Sequence, residues 1–186
     1  MHRVRPPAPG TATLDGVTVG DNSADHQGGG LLLFNGTDVR LSNTTVSGNI
    51  AEHGGGIANG ESTLTLKQST VRGNSGGGIA NGGSLTLTDS AVTRNTATSG
   101  LGGGGIFNDD GGTVTLDGST VRRNTASRGG GIFNNGSLTL TDSAVTRNTA
   151  TSGLGSGGGI FNDAEGAVTL INSTVRRNRP DDCVNC

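Results

Sequence analysis

The chain has 186 residues and a formal net charge of −2, and its 36 Gly, 25 Thr, 17 Asn and 16 Ser make up half of it. Four Phe are its only aromatics. This excludes an ordinary aromatic-packed core, and so much Gly and β-branched Thr excludes long helices. No apolar run approaches the roughly 20 residues of a membrane-spanning helix, and a near-balanced charge is no general lure for nucleic acid or anionic membrane.

Residues 1–10 are basic and proline-rich. They lack the apolar stretch of a secretory signal. Pro6, Pro7 and Pro9 have no amide donors, so this segment is expected to blunt the end of whatever follows. From residue 11 to 178 one block returns: G-G-G-I-x-N, then L-T-L, then S-x-V-x-x-N. The last Gly of each triplet falls at Gly30, Gly56, Gly78, Gly105, Gly131 and Gly159, in steps of 22–28 residues. One spacing never changes. The first apolar residue of the L-T-L segment precedes the Val by seven, from Ala12/Val19 to Val168/Val175. Ser84–Gly102 recurs unchanged as Ser137–Gly155, which points to duplication of a two-repeat unit.

Each repeat holds three short runs with apolar–polar alternation, the strand signal. Three such strands cannot bury a face alone, but stacked repeats can, each strand pairing with its counterpart in the next repeat. The predicted fold is all-β: a right-handed parallel β-helix of about seven turns, three short strands per turn, the hand following the rule for parallel crossovers. Residues 179–186 form a C-terminal cap or tail, where Arg179-Pro180-Asp181-Asp182 adds charge to the last edge. Cys183 and Cys186 make one C-x-x-C without a βα context or a second ligand pair, so neither a redox motif nor a zinc site is expected. The pair stands either free or disulfide-linked.

The pattern G-G-G-I-F-N…L-T-L…S-x-V-x-x-N resembles the repeat of polymorphic outer-membrane proteins, and more broadly the pectate-lyase-like β-helix superfamily. The resemblance covers residues 11–178, with Val where that repeat usually has Phe before x-x-Asn. It implies a β-helix and surface exposure or secretion.

Stacking converts recurring residues into columns. Asn22, Asn49, Asn74, Asn95, Asn124, Asn148 and Asn178 follow each Val by three; Asn35, Asn59, Asn81, Asn108, Asn134 and Asn162 form a second column. Both are expected to be structural corners, with amides bonding from turn to turn and a left-handed backbone that Asn tolerates. The Gly triplets serve corners rather than phosphate binding, because no helix N-terminus follows them. Thr44, Ser69, Ser90, Ser119, Ser143 and Ser173 are expected to be turn hydroxyls, since no His or Asp accompanies them at fixed spacing. Thr13, Thr65, Thr86, Thr115, Thr139 and Thr169 face outward, interrupted by Arg40. The neighbouring column (Asp15, Ser42, Lys67, Thr88, Asp117, Thr141, Ile171) is too mixed for a regular ice-binding array.

Four positions stand out as a ligand face: Arg94, Arg123, Arg147 and Arg177, one per turn, with Arg72, Arg122 and Arg176 beside them. Such a column suits an anionic polymer. On the variable-loop rim, Asp25-His26 and Glu52-His53 pair carboxylates with imidazoles on adjacent turns, a pattern able to bind a metal or act as acid and base. Asp109-Asp110 and Asp163/Glu165 could hold calcium weakly; no other cofactor is expected. No set of unique acids breaks the repeat, so the leading expectation is a non-enzymatic adhesive or spacer segment of a secreted or cell-surface protein. It would be a monomer that binds polysaccharide or cell-surface glycan through exposed ladders, with no nucleic-acid partner. The alternative is a polysaccharide lyase or hydrolase, or an inactive relative of one.

Overall fold

The computed structural model describes residues 10–97, 100 and 102–186. The proline cluster at residues 6–9 lies outside them. Among the described residues every regular element is a strand, and no helix is long and apolar enough to cross a membrane.

The chain winds into a parallel β-solenoid of seven turns with three strands per turn. The first sheet stacks the five-residue strands Thr11–Asp15, Asp38–Ser42, Thr63–Lys67, Ser84–Thr88, Thr113–Asp117, Ser137–Thr141 and Ala167–Ile171. The second stacks the three-residue strands built on each Val, from Thr18–Gly20 to Thr174–Arg176. The third begins at Leu31–Leu33, takes the I-x-N segments in order, and ends with Cys183–Val184. A two-stranded pair, Thr125–Ala126 with Thr149–Ala150, widens two of the turns.

The core is narrow and made of aliphatic columns. Leu64, Leu85, Val114 and Leu138 stack in one, Leu66, Leu87, Leu116 and Leu140 in another, and both point inward from the first sheet. Val46, Val71, Val92, Val121 and Val145 come from the second sheet, and Ile57, Ile79, Ile106, Ile132 and Ile160 from the third. Period-2 alternation places Thr outside and Leu or Val inside on one strand, as the L-T-L pattern requires.

The Asn column after each Val is fully built. In every rung from Asn22 to Asn148, the backbone N–H and the side-chain Nδ2 both donate to Oδ1 of the Asn one turn on, at 2.9–3.1 Å. Nδ2 donates a second time, backward, to the carbonyl of the preceding turn's Val; Asn124 reaches Val92 at 3.0 Å. The last Gly of each triplet makes room for this. A Cβ on Gly105 would lie 2.6 Å from the Gly131 oxygen and 2.8 Å from Asn124 Nδ2. Close approach, not an unusual φ, is what that position demands.

Two expectations about the Asn columns need correction. The ladder asparagines do not adopt the left-handed backbone. The residue before each of them does, with φ between 57° and 69°: Asp21, Gly48, Gly73, Arg94, Arg123, Arg147 and Arg177. The Asn itself must point inward to use both its polar atoms. Asn35 also stays out of the second column. Leu31–Leu33 pairs with Ile57–Asn59, so Leu33 takes the first place and Asn35 lies exposed beyond it. Asn35 follows its Gly triplet by five residues where Asn59 follows by three. From Asn59 the ladder runs through Asn81, Asn108 and Asn134 to Asn162 at 2.7–2.8 Å. Leu33 has no donor to offer, and Asn59 Oδ1 is left buried without a partner.

The Ser column is the expected hydroxyl ladder. Each backbone N–H from Thr44 to Ser143 donates to the Oγ one turn on, as in Ser69 to Ser90 at 3.1 Å. Each Oγ–H returns to the carbonyl two residues back, as in Ser90 to Thr88 at 2.8 Å. After Asn178 the tail folds back on the last turn. Asp182 Oδ1 accepts from Asn178 N–H and Nδ2 at 2.8 and 3.1 Å, ending the ladder with a carboxylate where the next Asn would be. Cys183 pairs with Ile160, and Asn185 exchanges hydrogen bonds with Asn162.

Asn124→Ala removes the acceptor of two buried donors and should cost about 2–4 kcal/mol in urea unfolding. Asn22→Ala, at the exposed first rung, should cost less than about 1 kcal/mol by the same measurement. Deleting residues 179–186 uncovers the last turn's strand edges, which invite pairing. The truncated chain should show a larger mean mass in light scattering than the full chain at equal concentration.

Candidate functional site

The solenoid presents three outer faces of different chemistry. On the first sheet the Thr column falls as expected, with Arg40 in it and Asp38 paired to Arg40 at 2.7 Å. A further outward column, Thr11, Asp38, Thr63, Ser84, Thr113, Ser137 and Ala167, lies beside it. Charges at Asp38, Arg40, Lys67 and Asp117 break the hydroxyl array at irregular intervals.

The second face holds the arginines. Arg94, Arg123, Arg147 and Arg177 occupy the left-handed corner position on four successive turns, and all four are exposed. Arg72, Arg122 and Arg176 stand on the outer edge of the second sheet, alternating with Thr93 and Thr146. Together they form one stripe along turns three to seven. Among the described residues no ion pair involves these arginines. Their mutual repulsion registers at Arg123. The Arg122 guanidinium foremost, then desolvation, then Arg94 and Arg147, hold the Arg123 pKa below its ordinary value.

The backbone makes this stripe informative. A left-handed conformation costs a side-chain-bearing residue roughly 1–2 kcal/mol, and Gly almost nothing. At the other corner of each turn, the same conformation is filled by Gly16, Asn43, Gln68, Asp89, Gly118, Asp142 and Asn172. Six of those seven are Asn, Asp or Gly, the residues that bear this region most easily, and Gln68 is the exception. At the arginine corner, turns two and three use Gly48 and Gly73. The fold therefore accepts Gly there, and four successive turns place Arg at a conformational cost.

On the loop rim, Glu52 lies between two imidazoles: Oε2 is 3.7 Å from His26 Nδ1 and Oε1 is 3.9 Å from His53 Nε2. Asp25 is exposed and shares neither contact. The acidic corners are separate. Asp109 Oδ1 accepts from Asp110 N–H and Asp163 Oδ1 from Ala164 N–H, each closing its own turn at 2.9 Å. Among the described residues no group of three or more His, Cys, Asp or Glu is placed to hold a metal ion. Cys183 and Cys186 are joined by a disulfide.

The third face carries a column that the expectations above omit. Phe107, Phe133 and Phe161 stack with ring centroids 5.3 and 5.2 Å apart, and the Arg128 guanidinium lies over the last two rings at 5.6 and 5.3 Å. The signal was present, since all three follow the Ile of a G-G-G-I block. Comparison of the chain with protein families, curated proteins and solved structures finds no match.

Arg147→Gly relieves a left-handed side chain and should raise stability by about 0.5–1 kcal/mol. A thermal melt that moves upward by a few degrees would agree; a downward shift would show that Arg147 contributes to packing.

Proposed function

We propose that this chain is a non-enzymatic structural β-solenoid segment of a secreted or cell-surface protein, and that it binds an acidic polysaccharide along the arginine stripe. One observation supports the reading above the others: arginines stand in the left-handed corner at Arg94, Arg123, Arg147 and Arg177, where Gly48 and Gly73 serve the fold as well. Residues held in a costly backbone conformation point to a use outside the fold.

The geometry of the stripe selects the ligand class. Guanidinium groups repeat along a nearly straight line at the strand spacing of about 4.8 Å. That suits a linear polyanion, which can meet several charges in succession, better than a compact anion. Planar guanidinium forks also match carboxylate and sulfate oxygens in pairs. Single-stranded nucleic acid is the other linear polyanion, but its binding sites combine charge with aromatic stacking platforms. Phe107, Phe133 and Phe161 stand on the third sheet, whereas the stripe arginines stand on the second sheet and its corner, so the stripe itself carries no aromatic column. The likeness of the repeat to that of polymorphic outer-membrane proteins and pectate-lyase-like β-helices supports a surface or extracellular setting.

The test is titration with polygalacturonate at two ionic strengths. Binding should weaken steeply with salt, as expected when several fixed charges release counterions. The double variant Arg123→Ser, Arg147→Ser should bind at least tenfold more weakly at low salt, without loss of β structure. Absence of binding at low salt, or a double variant that binds like the parent, would sink the proposal. Release of unsaturated sugars during the titration would instead favour the enzyme alternative.

A further inference from the structure

The phenylalanine stack stops abruptly, and the place where it stops is a cavity. On the outer face of the third sheet, one column reads Leu32, Ala58, Ala80, Phe107, Phe133, Phe161 and Val184 through successive strand pairs. Phe107 stacks on Phe133, but its partner in the preceding turn is Ala80. Two rungs of the column, Ala58 and Ala80, therefore lack the bulk present on either side. The gap they leave has a volume of about 220 Å³ and is lined also by Gln27, His53 and Asp109. Ala58 is only 4% exposed although it belongs to the outer face. The walls thus stand well above the alanine floor.

We infer that this notch binds a single neutral pyranose ring, stacked on Phe107. The size argument comes first. Pockets for drug-sized ligands run from about 300 Å³ upward, so this one takes a single ring. Two missing rungs at the strand spacing leave roughly 10 Å along the column. A ring lying across the sheet in that space would continue the stack begun by Phe161, Phe133 and Phe107. The C–H face of a pyranose presents apolar surface to Phe107 and to the alanine methyl groups, which removes that surface from water.

The rim decides between ring types. An amide, an imidazole and a carboxylate from Gln27, His53 and Asp109 surround the apolar floor. An entirely apolar ring would desolvate these groups without replacing their hydrogen bonds, which is unfavourable. Equatorial hydroxyls of a sugar supply both donors and acceptors at the ring edge. The same rim argues against an acidic sugar. The Asp109 carboxylate lies on the wall, and Glu52, outside the lining, sits 3.9 Å from the rim group His53 Nε2, so a uronate or sulfated ring brings its charge to a side that is already negative. The notch and the arginine stripe therefore take different ligands on different faces, and neither depends on the other.

The experiment is saturation-transfer NMR on the full chain with methyl glycosides of glucose, galactose, mannose and N-acetylglucosamine, alongside methyl glucuronate and benzyl alcohol. At least one neutral glycoside should receive saturation, strongest on the C–H protons of one face, and methyl glucuronate should receive at least fivefold less. Ala80→Phe adds one ring to the stack in the register that Phe107 and Phe133 already use. It should abolish the transfer while leaving the melting temperature equal or higher. Phe107→Ala offers a second variant and should weaken binding at least fivefold. The Arg123→Ser, Arg147→Ser variant should bind the glycoside like the parent, so failure here leaves the polyanion reading untouched. No transfer to any neutral glycoside, or transfer that survives Ala80→Phe, would overturn the inference. Preferential transfer to benzyl alcohol would also overturn it, assigning the notch to an aromatic side chain of a protein partner.

Discussion

One interaction governs this molecule: a buried asparagine oxygen that accepts two hydrogen bonds from the turn before it. Asn124 Oδ1 takes the backbone N–H and the side-chain amide of Asn95, while its own amide passes to Asn148 and back to the Val92 carbonyl. No water is needed to satisfy the corner, and every turn must deliver an Asn at the same height. That requirement fixes the three-residue step from Val to Asn. It also explains the last Gly of each triplet, because any side chain there would strike the amide it faces. The residue after each ladder Asn still bridges from turn to turn, and the longest insertions fall beyond it, before the next triplet.

The outer faces follow from the same geometry. To turn the ladder Asn inward, the preceding residue adopts a left-handed backbone, and its side chain is exposed at the corner. Whatever occupies that position is repeated down the rod at the strand spacing. In turns four to seven it is Arg, which converts a corner requirement into a line of charge. Outward positions of the third sheet are repeated in the same way, and there Phe gives a ring stack covered by Arg128. The first sheet, with Thr and Ser outside, is left as the polar face. A solenoid thus amplifies each outward choice into a stripe, and it keeps stripes from mixing because each belongs to its own sheet or corner.

A ladder also has ends, and the two ladders end differently. At the C-terminal side Asp182 supplies the oxygen that an eighth Asn would have supplied, and a carboxylate needs no further acceptor beyond it. At the N-terminal side of the second ladder, Leu33 gives the core an apolar side chain but leaves Asn59 Oδ1 unpaired. The first ladder thus ends on a carboxylate, and the second begins against an apolar side chain.

The sequence by itself determined the all-β class, the repeat boundaries, the turn count, the Thr-out and Leu-in faces and the existence of both Asn columns. All of these follow from periodicity, and a solenoid translates periodicity along the chain directly into neighbours in space. What it did not determine were the features that depend on register or backbone conformation. Asn35 matched the second column by residue type, yet the strand pairing gave that place to Leu33. The left-handed corner belonged to Arg94 and its equivalents, not to the asparagines, because inward and outward directions are settled by φ rather than by composition. The rim residues Asp25, His26, Glu52 and His53 were visible as a group, but only three of them approach one another. Only the tertiary structure brought His53 and Asp109, which come from different loops, to the walls of one notch beside Phe107. Loop side chains obey no repeat, and their meeting depends on how far each insertion folds over the sheet.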